Sequence, residues 1–171
     1  MVTDNPNLIS RKAMESMQNT GGSGEPLLSE ILQKVNNAKD KPKKIEVLRQ
    51  YDSDALRMII KGAFDPNIKW SLPEGRPPFI ENDVPKGTQH SQLKSESKRL
   101  WHFIEGADIK TSKTQKETMF IQMLEGLHKE EADLLLNVKD KKLNKVYKGL
   151  TASAVQEAFN WDENFIKKEQ K

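Results

Sequence analysis

Apolar residues recur at a helical spacing along this chain, and no stretch shows the apolar and polar alternation of a half-buried strand. The spacing i, i+3, i+4 and i+7 is clearest over residues 28–35 and 120–127. Because a period of 3.6 residues gathers apolar side chains on one face of a helix, the sequence predicts an all-α fold. With 171 residues, 35% of them hydrophobic, the chain is long enough for one compact multi-helix domain.

Helix start signals divide the apolar stripes into a series of short helices. We predict the first near Pro26, the second at Pro42 with Ile45 and Leu48, the third after Asp52 or Ser53, and a fourth over about 91–105 with Trp101 among its core contacts. The later starts are a fifth helix capped by Thr114 with Glu117, a sixth over 129–138, a short seventh with Leu143, Val146 and Tyr147, and a last one capped by Thr151. Phe120, Leu124, Leu135 and Leu136 are predicted core residues.

A long proline-rich loop interrupts the helices over residues 65–91. It holds five of the eight prolines, so neither a long helix nor a central strand fits there. Trp70, Leu72, Phe79 and Ile80 are apolar, and we expect them to anchor an ordered loop on the helices.

Both ends of the chain are predicted to lie outside the helical domain, which we place at residues 26–161. Residues 1–25 form a flexible N-terminal tail, because a Gly-rich run over 19–24 separates a short apolar patch from Pro26. That patch is either part of a disordered leader or a partner-binding peptide that becomes helical through Ile9, Met14 and Met17. Residues 162–171 are predicted to be a polar, frayed C-terminal tail.

No catalytic or metal-binding motif is evident in the sequence. Cysteine is absent, which excludes thiol nucleophiles and thiolate metal sites, and His90, His102 and His128 are too scattered to indicate a metal site. Glu125 and His128 have the Glu-x-x-His spacing of a di-iron bundle, but a second copy is missing. We therefore predict a protein that is not an enzyme and that has no cofactor and no metal.

Acidic residues begin the sixth predicted helix. Glu130, Glu131 and Asp133 are interpreted as first-turn residues that the helix dipole favours.

No stretch approaches the roughly 18 apolar residues of a membrane span, and the polar N-terminus does not resemble a signal peptide. We expect no membrane partner and an intracellular location.

Two short basic segments stand out, although the whole chain carries a net charge of only +3. Residues 39–49 hold five basic residues against two acidic ones, and residues 139–148 hold five lysines against one aspartate. Both fall on connectors between predicted helices, where lysines can contact phosphates, although solvated lysines on turns are an equal alternative. The candidate nucleic-acid-binding residues are Lys139, Lys141, Lys142, Lys145, Lys148, Lys41, Lys43 and Lys44.

The order of these motifs is similar to the N-terminal helical DNA-binding domain of phage-type ATP-dependent DNA ligases. The likeness is carried by Leu28-x-x-Ile31, Ile45-x-x-Leu48, Leu56, Phe120-x-x-x-Leu124 and residues 103–104, 131–136, 138–143, 150–153 and 155–159. It implies a domain that grips duplex DNA across the minor groove through backbone contacts. The Lys-x-Asp-Gly adenylation motif is absent, lysine replaces arginine and the proline-rich loop is extra, so no ligase chemistry is implied.

Residues 120–143 also resemble a family of short proteins from large tailed phages that infect marine cyanobacteria. The two resemblances imply a non-enzymatic, phage-encoded DNA-binding or replication-accessory module that holds duplex DNA independently of sequence. The alternative is a virion or assembly component that docks on other phage proteins. The expected location is the cytoplasm of the infected host, or the virion for the alternative.

Overall fold

The computed structural model describes residues 26–82 and 91–168 of the chain. These two segments contain α-helices and one 3₁₀ helix but no β-strand, which confirms the predicted all-α class. The α-helices are α1 (Leu28–Asn37), α2 (Lys41–Gln50), α3 (Asp54–Phe64), α4 (Leu93–Glu96), α5 (Lys113–Gly126), α6 (Lys129–Lys139), α7 (Leu143–Val146) and α8 (Ala152–Phe159). The 3₁₀ helix covers Ser97–Phe103 and follows α4 directly.

Polar side chains begin most of the longer helices. Asp40, Ser53 and Thr151 accept hydrogen bonds from backbone N–H groups in the first turns of α2, α3 and α8, as helix N-caps do. The predicted start of α5 at Thr114 is wrong by two residues. Ser112 is the cap, because its hydroxyl accepts from the Gln115 N–H while the Gln115 side chain accepts from the Ser112 N–H.

Helix α6 lies at the centre of the domain. It contacts α1, α3, α5 and α7, while α2 packs against α1 and α8 on one side of the molecule. Leucines 134, 135 and 136 are consecutive and all buried, so α6 is covered on more than one face. The predicted core residues Phe120, Leu124, Leu135 and Leu136 are buried.

Glu131, in the first turn of α6, is buried in the core. Its side-chain oxygens accept the Leu28 N–H at 3.2 Å and the Leu93 N–H at 2.9 Å, which are the first residues of α1 and α4. The residue is only 1% exposed. The interpretation of Glu131 as an acidic residue of a helix's first turn is confirmed. Its burial was not predicted, and its side chain satisfies N–H groups that two other helices leave without an intrahelical acceptor.

The predicted fourth helix over 91–105 is mostly a 3₁₀ helix. The 3₁₀ geometry places residues three apart on the same side, so Leu100 and Phe103 are both buried while Trp101 faces outward. The prediction that Trp101 contributes to the core is wrong for this reason. Gly106 follows with φ +87°, in the left-handed region that glycine adopts readily.

The described part of the proline-rich loop is held on the helices by backbone and side-chain contacts. Its Ser71 N–H donates to the Phe103 carbonyl at 2.7 Å, and Arg76 pairs with Asp133 on α6 at 2.7 Å. The Trp70 ring approaches α3 so closely that a Cβ at Gly62 would lie 2.9 Å from it. Ile80 is 79% exposed, so its predicted role as an anchor is wrong, whereas Trp70, Leu72 and Phe79 pack against the core.

The segment after α8 folds back onto the domain. Asn160 adopts the left-handed conformation, and the buried rings of Trp161 and Phe165 then pack with their centroids 6.2 Å apart. The frayed tail predicted from residue 162 is therefore not observed over residues 162–168. Val146 differs from prediction as well, because α7 is only one turn long and leaves that side chain exposed.

Leu124 provides a test of the core packing. It is fully buried, so Leu124→Ala leaves a cavity and should lower the free energy of unfolding by about 2–5 kcal/mol. Urea denaturation followed by circular dichroism measures the effect. Val146→Ala is the exposed control and should change stability by less than about 0.5 kcal/mol. Equal effects of the two substitutions would contradict this core.

Glu131 provides a test of pH dependence. Burial raises its pKa to about 7, despite the N–H groups that favour the charged form, from the ordinary value of 4.5. The folded state therefore binds a proton on the Glu131 side chain more tightly than the unfolded state does. This proton binding stabilises the fold fully below pH 4.5. The contribution, roughly 3 kcal/mol, is lost as the pH rises through 7.

Glu131→Gln removes this titration and leaves the other carboxylates in place. We expect the difference in unfolding free energy between the native protein and this variant to change steadily between pH 4.5 and 7.5, with the native protein losing stability relative to the variant as the pH rises. Urea titrations at several pH values measure it. A difference that is constant with pH would show that Glu131 does not titrate in this range.

Candidate nucleic-acid interface

Lys139 is buried although it was predicted to contact phosphate. Its ammonium donates to the carbonyls of Pro73 at 2.7 Å and Gly75 at 3.1 Å, and to the Asp140 carboxylate at 2.5 Å. Asp140 in turn accepts the Gly75 N–H, so the two side chains together hold the proline-rich loop at the end of α6. The side chain of Lys139 is 2% exposed, and an external phosphate does not reach it.

Three other basic side chains bind the carbonyl ends of helices. Lys44 donates to the Val35 and Ala38 carbonyls, at 3.2 and 2.6 Å, where α1 ends. Lys141 donates to the Gly62 and Asp65 carbonyls, at 2.7 and 2.8 Å, where α3 ends, and Arg49 binds the last carbonyls of α8. Cations are favoured at these ends, so the phosphate-binding predictions for Lys44 and Lys141 do not fit this geometry.

Lys141 is also in an unusual backbone conformation. Its φ is +60°, in the left-handed region, and burial lowers the pKa of its ammonium. The lowered pKa agrees with a side chain that is directed inward onto the end of α3.

Lys41 and Lys142 make exposed contacts. Lys41 donates to the Ser153 hydroxyl at 2.6 Å and lies 3.4 Å from a carboxylate oxygen of Glu157, and Lys142 lies 3.5 Å from Glu74. Exposed pairs of this kind contribute little stability, about 0–1 kcal/mol each. These two lysines therefore remain accessible to another anion.

The two basic segments meet at one point on the surface. The Gly149 N–H donates to the Asn36 side-chain oxygen at 2.8 Å, and a Cβ at Gly149 would lie 2.8 Å from the Lys44 ammonium. A Cβ there would also lie 3.1 Å from the Asn36 carbonyl oxygen, so the two parts of the chain approach closely at Gly149. Besides Lys41, four lysines of the two basic segments lie within four residues of Asn36, Lys44 or Gly149 along the chain and have exposed side chains. They are called the junction lysines below: Lys39, Lys43, Lys145 and Lys148.

The Glu-x-x-His spacing has a structural explanation. Glu125 accepts the Ile80 N–H at 3.0 Å, and the His128 ring accepts the Glu130 N–H at 3.2 Å as the cap of α6. Over residues 26–82 and 91–168, no group of His, Asp and Glu side chains is arranged to hold a metal ion, and no helix there is long and apolar enough to cross a membrane. His90 lies outside these residues, as do the predicted partner-binding residues Ile9, Met14 and Met17.

Two features of the surface escaped the choice of site residues from the sequence. Lys39 belongs to the first basic segment but was not selected, and its exposure follows from its position between α1 and α2. Trp101 was assigned to the core because its spacing fitted an α-helix. The serines at positions 95 and 97 could have indicated that this stretch is not a regular α-helix, since serine favours turns and helix ends over helix interiors.

Residues 31–145 match a family of unknown function, DUF6433. This match covers more than half of the chain. The chain belongs to DUF6433. The DUF6433 segment includes the basic segment 39–49, most of the basic segment 139–148, and Glu131, whereas Lys148 and α8 follow it. No curated protein and no solved structure matches the chain.

The structural role of Lys139 is testable against an exposed lysine. Lys139→Met keeps an apolar stem but leaves two carbonyls and the Asp140 carboxylate without the ammonium, so it should cost about 1–3 kcal/mol of stability. Lys145→Met is the matched control, with an expected change under about 0.5 kcal/mol. Urea midpoints of the two variants decide the question, and a stable Lys139→Met protein would show that this contact is dispensable.

Proposed function

We propose that this DUF6433 protein binds the phosphate backbone of duplex DNA through the junction lysines, without reading its sequence. The observation that supports this proposal is the Asn36–Gly149 hydrogen bond, which joins residues that flank two basic segments about one hundred residues apart in the sequence. Each segment carries exposed lysines within four residues of Asn36, Lys44 or Gly149 along the chain. A surface of this kind suits a polyanion.

The chemistry of the side chains favours contacts to phosphate over contacts to bases. Lysine is a compact point charge on a flexible stem, whereas specific reading of guanine commonly uses the planar fork of arginine. The exposed basic residues at the junction are all lysines. Arg49, which lies in the basic segment 39–49, is bound to carbonyls of α8. Binding would therefore be of similar strength for all duplex sequences.

The proposed contact set differs from the lysines chosen from the sequence. Lys43, Lys145 and Lys148 remain in it and Lys39 is added. Lys41 and Lys142 are peripheral because each already lies near a carboxylate, that of Glu157 or Glu74. Lys44, Lys139 and Lys141 act indirectly, since they fix the chain on either side of the junction.

In this proposal the protein has no catalytic role of its own. Its phage origin and its likeness to the DNA-binding domain of ligases stay predictions that rest on the sequence resemblances. Docking on other phage proteins, as a virion or assembly component, is the alternative hypothesis. The experiment below separates it from DNA binding.

The salt dependence of duplex binding tests the proposal. Four lysine–phosphate contacts imply that the logarithm of the affinity falls with the logarithm of salt concentration at a slope of roughly −3 to −4, about −0.9 for each contact. Replacing Lys39, Lys43, Lys145 and Lys148 together by Gln should remove most of this slope and weaken binding to unrelated duplexes equally. Fluorescence anisotropy with two duplexes of different sequence measures both effects.

A control variant with the same change in charge separates the junction from a general effect of net charge. Lys69, Lys129, Lys167 and Lys168 are also exposed, and their replacement by Gln should change the slope much less. Equal losses in the two variants would contradict a localised interface. The absence of duplex binding by the native protein at low salt would favour the docking alternative.

A further inference from the structure

Trp101 has an unusual position for a tryptophan in a small domain. Its side chain is 47% exposed, whereas Trp161 is buried and Trp70 packs against the core. Ile109, in the turn that follows the 3₁₀ helix, is 88% exposed. The His102–Asp108 contact joins the two segments that carry these residues, and large exposed apolar side chains on neighbouring segments commonly mark a site of interaction.

The ring of Trp101 rests on a rigid support. It stacks on the His102 ring with the two centroids 3.8 Å apart, and His102 Nδ1 lies 2.7 Å from a carboxylate oxygen of Asp108. The His102 contact and the N–H groups of Lys110 and Thr111 keep the pKa of Asp108 well below its usual range. The Asp108 carbonyl also accepts the buried Lys116 ammonium at 2.6 Å, so the support is fixed before any ligand binds.

The stretch of sequence that contains Trp101 is basic. Residues 94–116 contain six lysines and arginines against three acidic residues. Asp108 is occupied by the internal contacts above, and Glu96 pairs with Arg99. Lys98, Lys110 and Lys113 have exposed side chains, and Glu105 is the remaining acidic residue of this stretch.

We infer that Trp101 is a stacking platform for an unpaired base of single-stranded nucleic acid, with Lys98, Lys110 and Lys113 contacting the neighbouring phosphates. A planar ring beside several cations matches a ligand that alternates planar bases with anionic phosphates. A duplex does not expose the faces of its bases, so this site goes beyond the proposed duplex contact and does not depend on it. The exposed lysines in the same stretch as Trp101 favour a nucleic acid over an apolar protein surface.

Binding of a fluorescein-labelled 20-nucleotide oligothymidine at low salt tests this inference. Trp101→Ala should weaken the affinity by about 10-fold or more, whereas Trp101→Phe, which keeps an aromatic face, should retain most of it. A 20-nucleotide strand of abasic sites keeps the phosphates and removes the bases. It should bind the native protein about as weakly as oligothymidine binds Trp101→Ala.

Further variants separate this site from the junction lysines. Replacing Lys98, Lys110 and Lys113 by Gln should reduce the salt slope for oligothymidine by about 2, since each single-strand contact contributes about 0.7. The quadruple junction variant should bind oligothymidine nearly normally, and Trp101→Ala should bind duplex normally. Ile166→Ala, at an exposed apolar residue of the C-terminal segment, is the control for a general loss of apolar surface.

Three results would overturn the inference. One is equal affinity of the native protein and Trp101→Ala for oligothymidine, and another is equal affinity of the native protein for the oligothymidine and abasic strands. The third is no binding of oligothymidine by the native protein at low salt, which would assign Trp101 to a protein partner.

Discussion

The ends of short helices impose the main constraint on this domain. Each helix leaves N–H groups at its start and carbonyl groups at its end without partners in the same helix, and the longest described helix, α5, has only 14 residues. Local caps satisfy part of this demand. The rest is met by charged side chains from distant parts of the chain, namely Glu131 for the starts of α1 and α4, and Lys44, Lys141 and Arg49 for the ends of α1, α3 and α8.

This demand divides the basic residues into two groups. Lys139 and Lys141 lie only six and four residues before Lys145 in the sequence. They nevertheless face the interior and donate to backbone carbonyls, while Lys145 is exposed. The inward lysines position the connectors, and the outward ones give the surface its charge. The proposed interface for duplex therefore depends on side chains that do not touch the ligand.

The sequence predicted the helices well because their signals are local. Residues 28–35 and 120–127 carry the full apolar spacing, and Ser53 and Thr151 cap the helices that they precede, as expected. The 3₁₀ helix at Ser97–Phe103 was not predictable in the same way, because its apolar residues fit both helical periods over so short a stretch. Glu131 and Lys139 resemble ordinary surface residues in the sequence, and only tertiary neighbours, the first residues of α1 and α4 and the proline-rich loop, give them their roles.

The division of the lysines into inward and outward groups is tested most directly by the rate at which each lysine reacts with an amine-selective reagent in the folded protein. Mass spectrometry of peptides after brief labelling resolves the residues one by one. The structure predicts rapid modification of Lys39, Lys43, Lys145 and Lys148, and slow modification of Lys44, Lys139 and Lys141 that becomes rapid only in urea. Labelling of Lys139 and Lys141 as fast as that of Lys145 in the folded protein would contradict the account.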